Sequence, residues 1–168
     1  METSQRQRIE QYCNKQFYEA LESNQRLKIF QGGSRSGKTY SIMQYLLYLI
    51  TITKEPLVIS VIRKTLPALK RSVLRDFLNI SKDTGIYYDG IFNKAENTFS
   101  YNGHTLEFFS ADDSQKIRGS ARDIAWLNEG NELLLEEYRQ IAMRTRTNII
   151  IDFNPSDPVH WIYDLCER

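Results

Sequence analysis

The chain has 168 residues, enough for one domain with a real hydrophobic core and too few for two ordinary ones. Hydrophobic residues at 41% and charged residues at 26% exclude a disordered chain. A formal net charge of +1 excludes a bulk electrostatic grip on nucleic acid, so any such contact must come from a local basic patch.

The N-terminus is polar and charged through Glu2, Arg6, Arg8 and Glu10, with no apolar stretch suited to a signal peptide. Cys13 and Cys166 lie near opposite ends and His104 and His160 are isolated, so reduced thiols and no zinc cluster are expected. Residues about 5–22 read as a helix through Ile9, Tyr12, Phe17 and Leu21. A short β-prone run, Leu27 to Phe30, feeds directly into glycines. Thr39 to Thr51 then carries Ile42, Leu46, Leu47 and Ile50 at helical spacing. The apolar run from Ile42 to Ile52 is too short to cross a bilayer, and a soluble, cytoplasmic protein is expected.

Pro56 breaks the helical pattern, and Leu57 to Ile62 reads as a buried strand. Leu69, Val73, Phe77 and Ile80 place an amphipathic helix over about Leu66 to Ile80. A hairpin follows, with Thr98–Tyr101 and Thr105–Phe109 flanking Asn102-Gly103, the dipeptide that best tolerates the positive φ angles of a type I′ turn. Ile124–Leu127 is another buried strand, Leu133–Met143 a helix and Asn148–Phe153 a final strand. From Pro158 onward the tail reads as a helix whose apolar side (Val159, Ile162, Leu165, Cys166) has no evident cover, so a fragment that ends early is expected. Strands alternating with helices predict an α/β three-layer sandwich around a largely parallel sheet, with the hairpin as an antiparallel insertion or edge.

Gly32-Gly33-Ser34-Arg35-Ser36-Gly37-Lys38-Thr39 meets the pattern G-x-x-x-x-G-K-[ST] between an apolar strand and an amphipathic helix. Glycines let successive backbone N–H groups turn inward around phosphates, and the helix N-terminus adds partial positive charge. Lys38 is expected to neutralise the β- and γ-phosphates of ATP, and the Thr39 hydroxyl to ligate Mg²⁺. Tyr40 follows directly. Arg35 is either a planar donor to the γ-phosphate or a solvated loop arginine. Downstream, Ile124-Ala125-Trp126-Leu127-Asn128-Glu129 is an apolar strand with a polar end. Glu129 fits a general base, or alternatively a cap on the next helix. Asn128 occupies the place where an Asp usually holds the metal; it keeps an oxygen but loses the charge, so metal binding there should be weak.

These residues, together with Ile62-Arg63-Lys64-Thr65, Leu69-Lys70-Arg71-Ser72-Val73, Ile117-Arg118-Gly119, Trp126 to Glu132 and Phe153-Asn154-Pro155, resemble the ATPase domain of tailed-phage terminase large subunits over roughly residues 10 to 165. The resemblance implies an ASCE-type P-loop NTPase. It also implies ATP hydrolysis that drives double-stranded DNA into a procapsid in the host cytoplasm. Implied partners are the portal protein, the small terminase subunit and further copies of the chain in a ring, commonly pentameric. It further implies Arg118 as an arginine finger given to a neighbour, Asn154 as a coupling residue and Gln16 as a contact to adenine. The family's nuclease half has no counterpart in these residues, so no nuclease activity is expected of them. Arg63, Lys64, Lys70, Arg71 and Arg75 form the densest basic cluster, offset mainly by Asp76, and the first four are the candidate DNA contacts, against the alternative of a solvated face. Competing readings are a helicase- or recombinase-like ATPase and a nucleotide-binding module with little turnover.

Overall fold

Apolar strand segments rich in Ile, Val and Phe pair side by side, and the helices between them cover both faces of the resulting sheet. A computed structural model describes residues 15–33, 36–119 and 121–167, with side chains from Tyr18 onward. The elements run α1 (Lys15–Glu22), β1 (Leu27–Gln31), α2 (Lys38–Ile52) and β2 (Val58–Arg63). Helix α3 comprises Leu66–Leu69, a π-helical turn at Lys70–Leu74, and Arg75–Asp83. Next come β3 (Phe92–Asn93), β4 (Thr98–Tyr101), β5 (His104–Ser110), α4 (Ser114–Gly119) and β6 (Arg122–Asn128). A 3-10 turn at Gly130–Glu132 leads into α5 (Leu135–Met143), β7 (Thr145–Phe153) and α6 (Trp161–Cys166).

The seven strands form one sheet in the order β1-β7-β6-β2-β5-β4-β3. The pairs from β1 to β5 are all parallel. β4 pairs antiparallel with β5, and β3 with β4, so the hairpin is the antiparallel edge. The α/β sandwich with a largely parallel sheet is therefore observed. The turn dipeptide behaves as expected, with Asn102 at φ 47° and Gly103 at φ 83°.

Alternation along the strands separates two cores. Ile59, Val61, Phe108, Trp126 and Ile150 pack with α2 and α3 residues such as Leu46, Leu47 and Phe77. Ile62, Ala125, Leu127, Ile149, Ile151 and Phe153 pack on the opposite face with Ile117, Ile141 and Ile162. Helix α2 buries most of its circumference, Gln44 included, as its largely apolar run from Ile42 to Ile52 requires. No helix among the described residues is long and apolar enough to cross a membrane.

One expectation changes. The apolar side of α6 is covered: Ile162 is buried against the second core, and Trp161 stacks on Tyr138 of α5 with ring centroids 5.0 Å apart. The Trp161 indole also donates to the Leu133 carbonyl at 2.8 Å. Of that side, Val159 and Cys166 are exposed. The sequence pattern identifies an apolar stripe, and its cover is β7, which directly precedes it, together with α5.

Candidate functional site

In a parallel sheet, ligands collect beyond the carboxyl ends of the strands. β1, β7 and β6 are neighbours, and their ends lie in register: Gln31 opposite Phe153, and Asp152 opposite Asn128. The phosphate-loop candidate leaves the end of β1, Asn154 leaves the end of β7 and Glu129 leaves the end of β6. Three segments far apart in sequence thus converge on one rim. The Gly32 amide joins two of them by donating to the Phe153 carbonyl at 3.2 Å.

Gly37 opens α2 with φ 81°, a left-handed conformation that glycine adopts without steric cost. The Lys38 ammonium is nearly buried and folds back over the loop. It donates to the carbonyls of Gly32 (2.7 Å) and Gly33 (3.1 Å), to Ser36 Oγ (3.0 Å) and to Asn154 Oδ1 (3.1 Å). The other end of the Asn154 amide donates to both Glu129 carboxylate oxygens at 3.2 and 3.3 Å. One amide therefore bridges the loop lysine and the carboxylate.

Glu129 itself lies in the left-handed region at φ 52°, ψ 54°. For a residue with a β-carbon this is a strained conformation costing on the order of 1–3 kcal/mol, and such strain gathers at functional sites. Its side chain makes no capping hydrogen bond to the turn that follows. Gly130 is required by packing: a β-carbon there would come within 2.5 Å of Ile151 Cγ2. A larger residue would push the Glu129 turn off the sheet.

Beneath this rim lies a residue the sequence reading passed over. Asp152 is 1% exposed. Its carboxylate accepts from the Trp126 indole (2.6 Å), from the Asn128 amide at both oxygens (3.1 and 3.2 Å) and from the Thr39 hydroxyl (3.4 Å). Burial pushes its pKa up to about 6, and nearby Glu129 adds to this. The bonds from Trp126 and Asn128 and the charge of Lys38 pull the other way. Asn128 gives both its contacts through Nδ2, and its buried Oδ1 has no hydrogen-bond partner among the described residues. The signal for Asp152 was present: a lone carboxylate in the apolar run Ile149-Ile150-Ile151-Asp152-Phe153 is a burial that demands a reason.

The loop encloses a cavity of about 330 Å³, lined from Ser36 to Tyr40, by Met43, and by Asp76, Glu129 and Asn154. Asp76 was not expected there; it reaches the cavity from α3 and pairs with its neighbour Arg75 at 2.9 Å. Ser34, Arg35 and the Gln16 side chain lie outside the described residues. Arg118 is exposed on α4 and is not among the residues lining this cavity. Its segment is pinned from behind: the Arg144 guanidinium donates to the Arg118 carbonyl at 2.7 Å, and the fully buried Arg122 donates to those of Lys116 and Ile117.

The basic cluster divides. Arg63 pairs with Glu132 at 3.3 Å and donates to Ser72 at 2.8 Å, and Lys64 pairs with Glu137 at 2.6 Å. These two cations join β2 and α3 to the segment after Glu129. Lys70 and Arg71 are exposed.

The phage terminase large subunit family model matches residues 24–166. No curated protein matches the chain. Among solved structures, the large terminase of a thermophilic bacteriophage is similar with a TM-score of 0.76 and 20% identity, over 92% of this chain and 43% of that one. The bacteriophage HK97 large terminase has a TM-score of 0.72 at 12% identity, over 99% of this chain and 41% of that one. The Thermus phage P74-26 large terminase ATPase domain has a TM-score of 0.67 at 12% identity, over 88% and 66%. At these identities the likeness is one of fold, and the chain spans about two fifths of the first two of these proteins. That family model spans most of the chain, and the chain belongs to the phage terminase large subunit family.

Proposed function

We propose that the chain hydrolyses ATP with Mg²⁺ and that this turnover powers the movement of double-stranded DNA into a procapsid. The observation that carries the reading is the bridge from Lys38 through Asn154 to Glu129. A phosphate-binding cation and a general base are linked through one amide beside a cavity of nucleotide size.

In this reading the γ-phosphate exchanges for the acceptors Lys38 now holds. Glu129 orients water and takes its proton as the water oxygen attacks the γ-phosphorus and the bond from that phosphorus to the departing ADP oxygen breaks. Asn154, bonded at one end to Lys38 and at the other to Glu129, responds when phosphate changes the lysine's partners. It is thereby able to report cleavage to the end of β7. Thr39 and Asn128 fit a hard cation through their oxygens, and the buried Asn128 Oδ1, without a hydrogen-bond partner among the described residues, is the observation that supports this. Magnesium bound there would spread the charge of the phosphate oxygens.

Arg118 is read as a finger for a neighbouring copy. Its exposure and its place outside the chain's own cavity support this, as do the arginine-held carbonyls that stiffen its helix. Portal and small-subunit contacts, and a ring of five, follow from the family and are part of the same proposal. The test is Mg²⁺-dependent ATP hydrolysis by the wild type and by Glu129→Gln. The variant is expected to bind nucleotide normally and to lose turnover by at least ~10²-fold. Near-normal turnover by the variant would remove Glu129 from the mechanism. Binding without any turnover by the wild type would favour a nucleotide-binding module.

A further inference from the structure

We propose that Asp152, one strand over from the usual position, supplies the negative charge of the magnesium site that Asn128 lacks. The inference rests on the reading above that the loop binds a metal–nucleotide complex.

Asn128 and Asp152 are direct register partners at the ends of adjacent parallel strands. The carboxylate is within reach of the Thr39 hydroxyl at 3.4 Å, on the first turn of the helix that follows the loop. Its hydrogen-bond partners among the described residues are neutral donors: an indole, an amide and a hydroxyl. Hydrogen bonds of this kind orient a buried carboxylate, but they do not cancel its charge, and an uncompensated buried charge is costly. Lys38 is a poor counter-ion because its ammonium is already shared among two carbonyls, a hydroxyl and an amide oxygen.

The second observation points to a cation independently. Asp152 draws both Asn128 contacts onto the amide nitrogen, which fixes that side chain's orientation and leaves its oxygen buried without a partner among the described residues. A carboxylate, a hydroxyl and an amide oxygen make an all-oxygen set suited to a hard divalent ion. The pair also explains the asparagine. Two carboxylates facing each other at these positions would repel, whereas one Asp and one Asn share a single charge between two strand ends and bond to each other. On this account the identity of the strand that carries the charge is free, and only the total across the two positions is constrained.

The probe is ATPγS, titrated calorimetrically with and without Mg²⁺, and the readout is the ratio of the two affinities. Asp152→Asn keeps an oxygen for the Trp126 indole, and its own metal-free titration supplies the baseline for the ratio. The variant should lose at least tenfold of the Mg²⁺-dependent gain. N128D/D152N, which returns one carboxylate to β6, should regain most of that gain. A gain retained by Asp152→Asn, or one not regained by the double variant, overturns the proposal. If Asp152→Asn does not fold, as judged by near-ultraviolet circular dichroism, the double variant decides alone by keeping or losing the gain. Failure of the wild type to bind ATPγS at all would instead refute the nucleotide reading on which the proposal stands.

Discussion

A buried carboxylate with a raised pKa is a stability liability, and for Asp152 its sign can be worked through. Its pKa is about 6 in the folded chain against an ordinary 3.8. Between those values the folded state holds a proton that the unfolded state has released, so stability falls as pH rises through the window. Above pH 6 the penalty is complete, amounting to about 3 kcal/mol at roughly 1.4 kcal/mol per unit. Lys38 and Glu129 are the charged groups that also bear on it, with opposite effects. Urea denaturation without nucleotide or metal should therefore find Asp152→Asn more stable than wild type at pH 7.5. The difference should shrink through pH 6 and vanish near pH 4. Equal pH profiles for the two proteins would mean that Asp152 is not held as a buried charge. A protein that tolerates such a cost has kept the residue for something other than folding.

At the scale of elements, α3 separates two kinds of basic residue. Arg63 and Lys64, at and just past the end of β2, are engaged with Glu132 and Glu137, and removing them would unfasten β2 from the turn that carries Glu129. Lys70 and Arg71, exposed at the π-helical turn, are left as the DNA-contact candidates. Their replacement by Ala is expected to weaken duplex binding for all sequences alike. Loss of two phosphate contacts should lower the slope of log affinity against log salt by about 2. An unchanged slope would move the DNA track elsewhere on the molecule. The opposite flank shows the same division of labour: α6 supports Gly130 through Ile162, whose Cδ1 would lie 3.4 Å from a β-carbon at that position.

Across the whole molecule, one copy carries Glu129 in its cavity and Arg118 away from it. If the finger serves a neighbour, two defects in different copies should complement each other. Arg118→Ala and Glu129→Gln are each expected to lose ATPase activity, the finger variant by ~10³-fold or more. Mixed at high concentration, they should recover a readily measured fraction, because an Arg118→Ala cavity then meets an intact finger. Turnover of the wild type should likewise rise faster than in proportion to its concentration. Strictly additive, inactive mixtures would place Arg118 in a structural role.

Much of this protein is readable from local pattern. The glycine loop, the apolar strand before it, the apolar helix after it and the Asn-Gly turn follow from backbone sterics and periodicity, which act over a few residues. Glu129 was also legible, because it closes an apolar strand with a polar residue, whereas Asn154 was singled out only by the family resemblance. The sequence alone determined that a phosphate loop lies on an α/β sheet, since that chemistry is local. Strand order was decided only by the tertiary structure: it sets β7 between β1 and β6, and so brings Asn154 between Lys38 and Glu129. The same order faces Asp152 with Asn128, ties Arg63 and Lys64 to distant glutamates, and buries the last helix against α5. Each of these is a contact between residues far apart in the chain, and no periodicity within a segment encodes which strand becomes its neighbour.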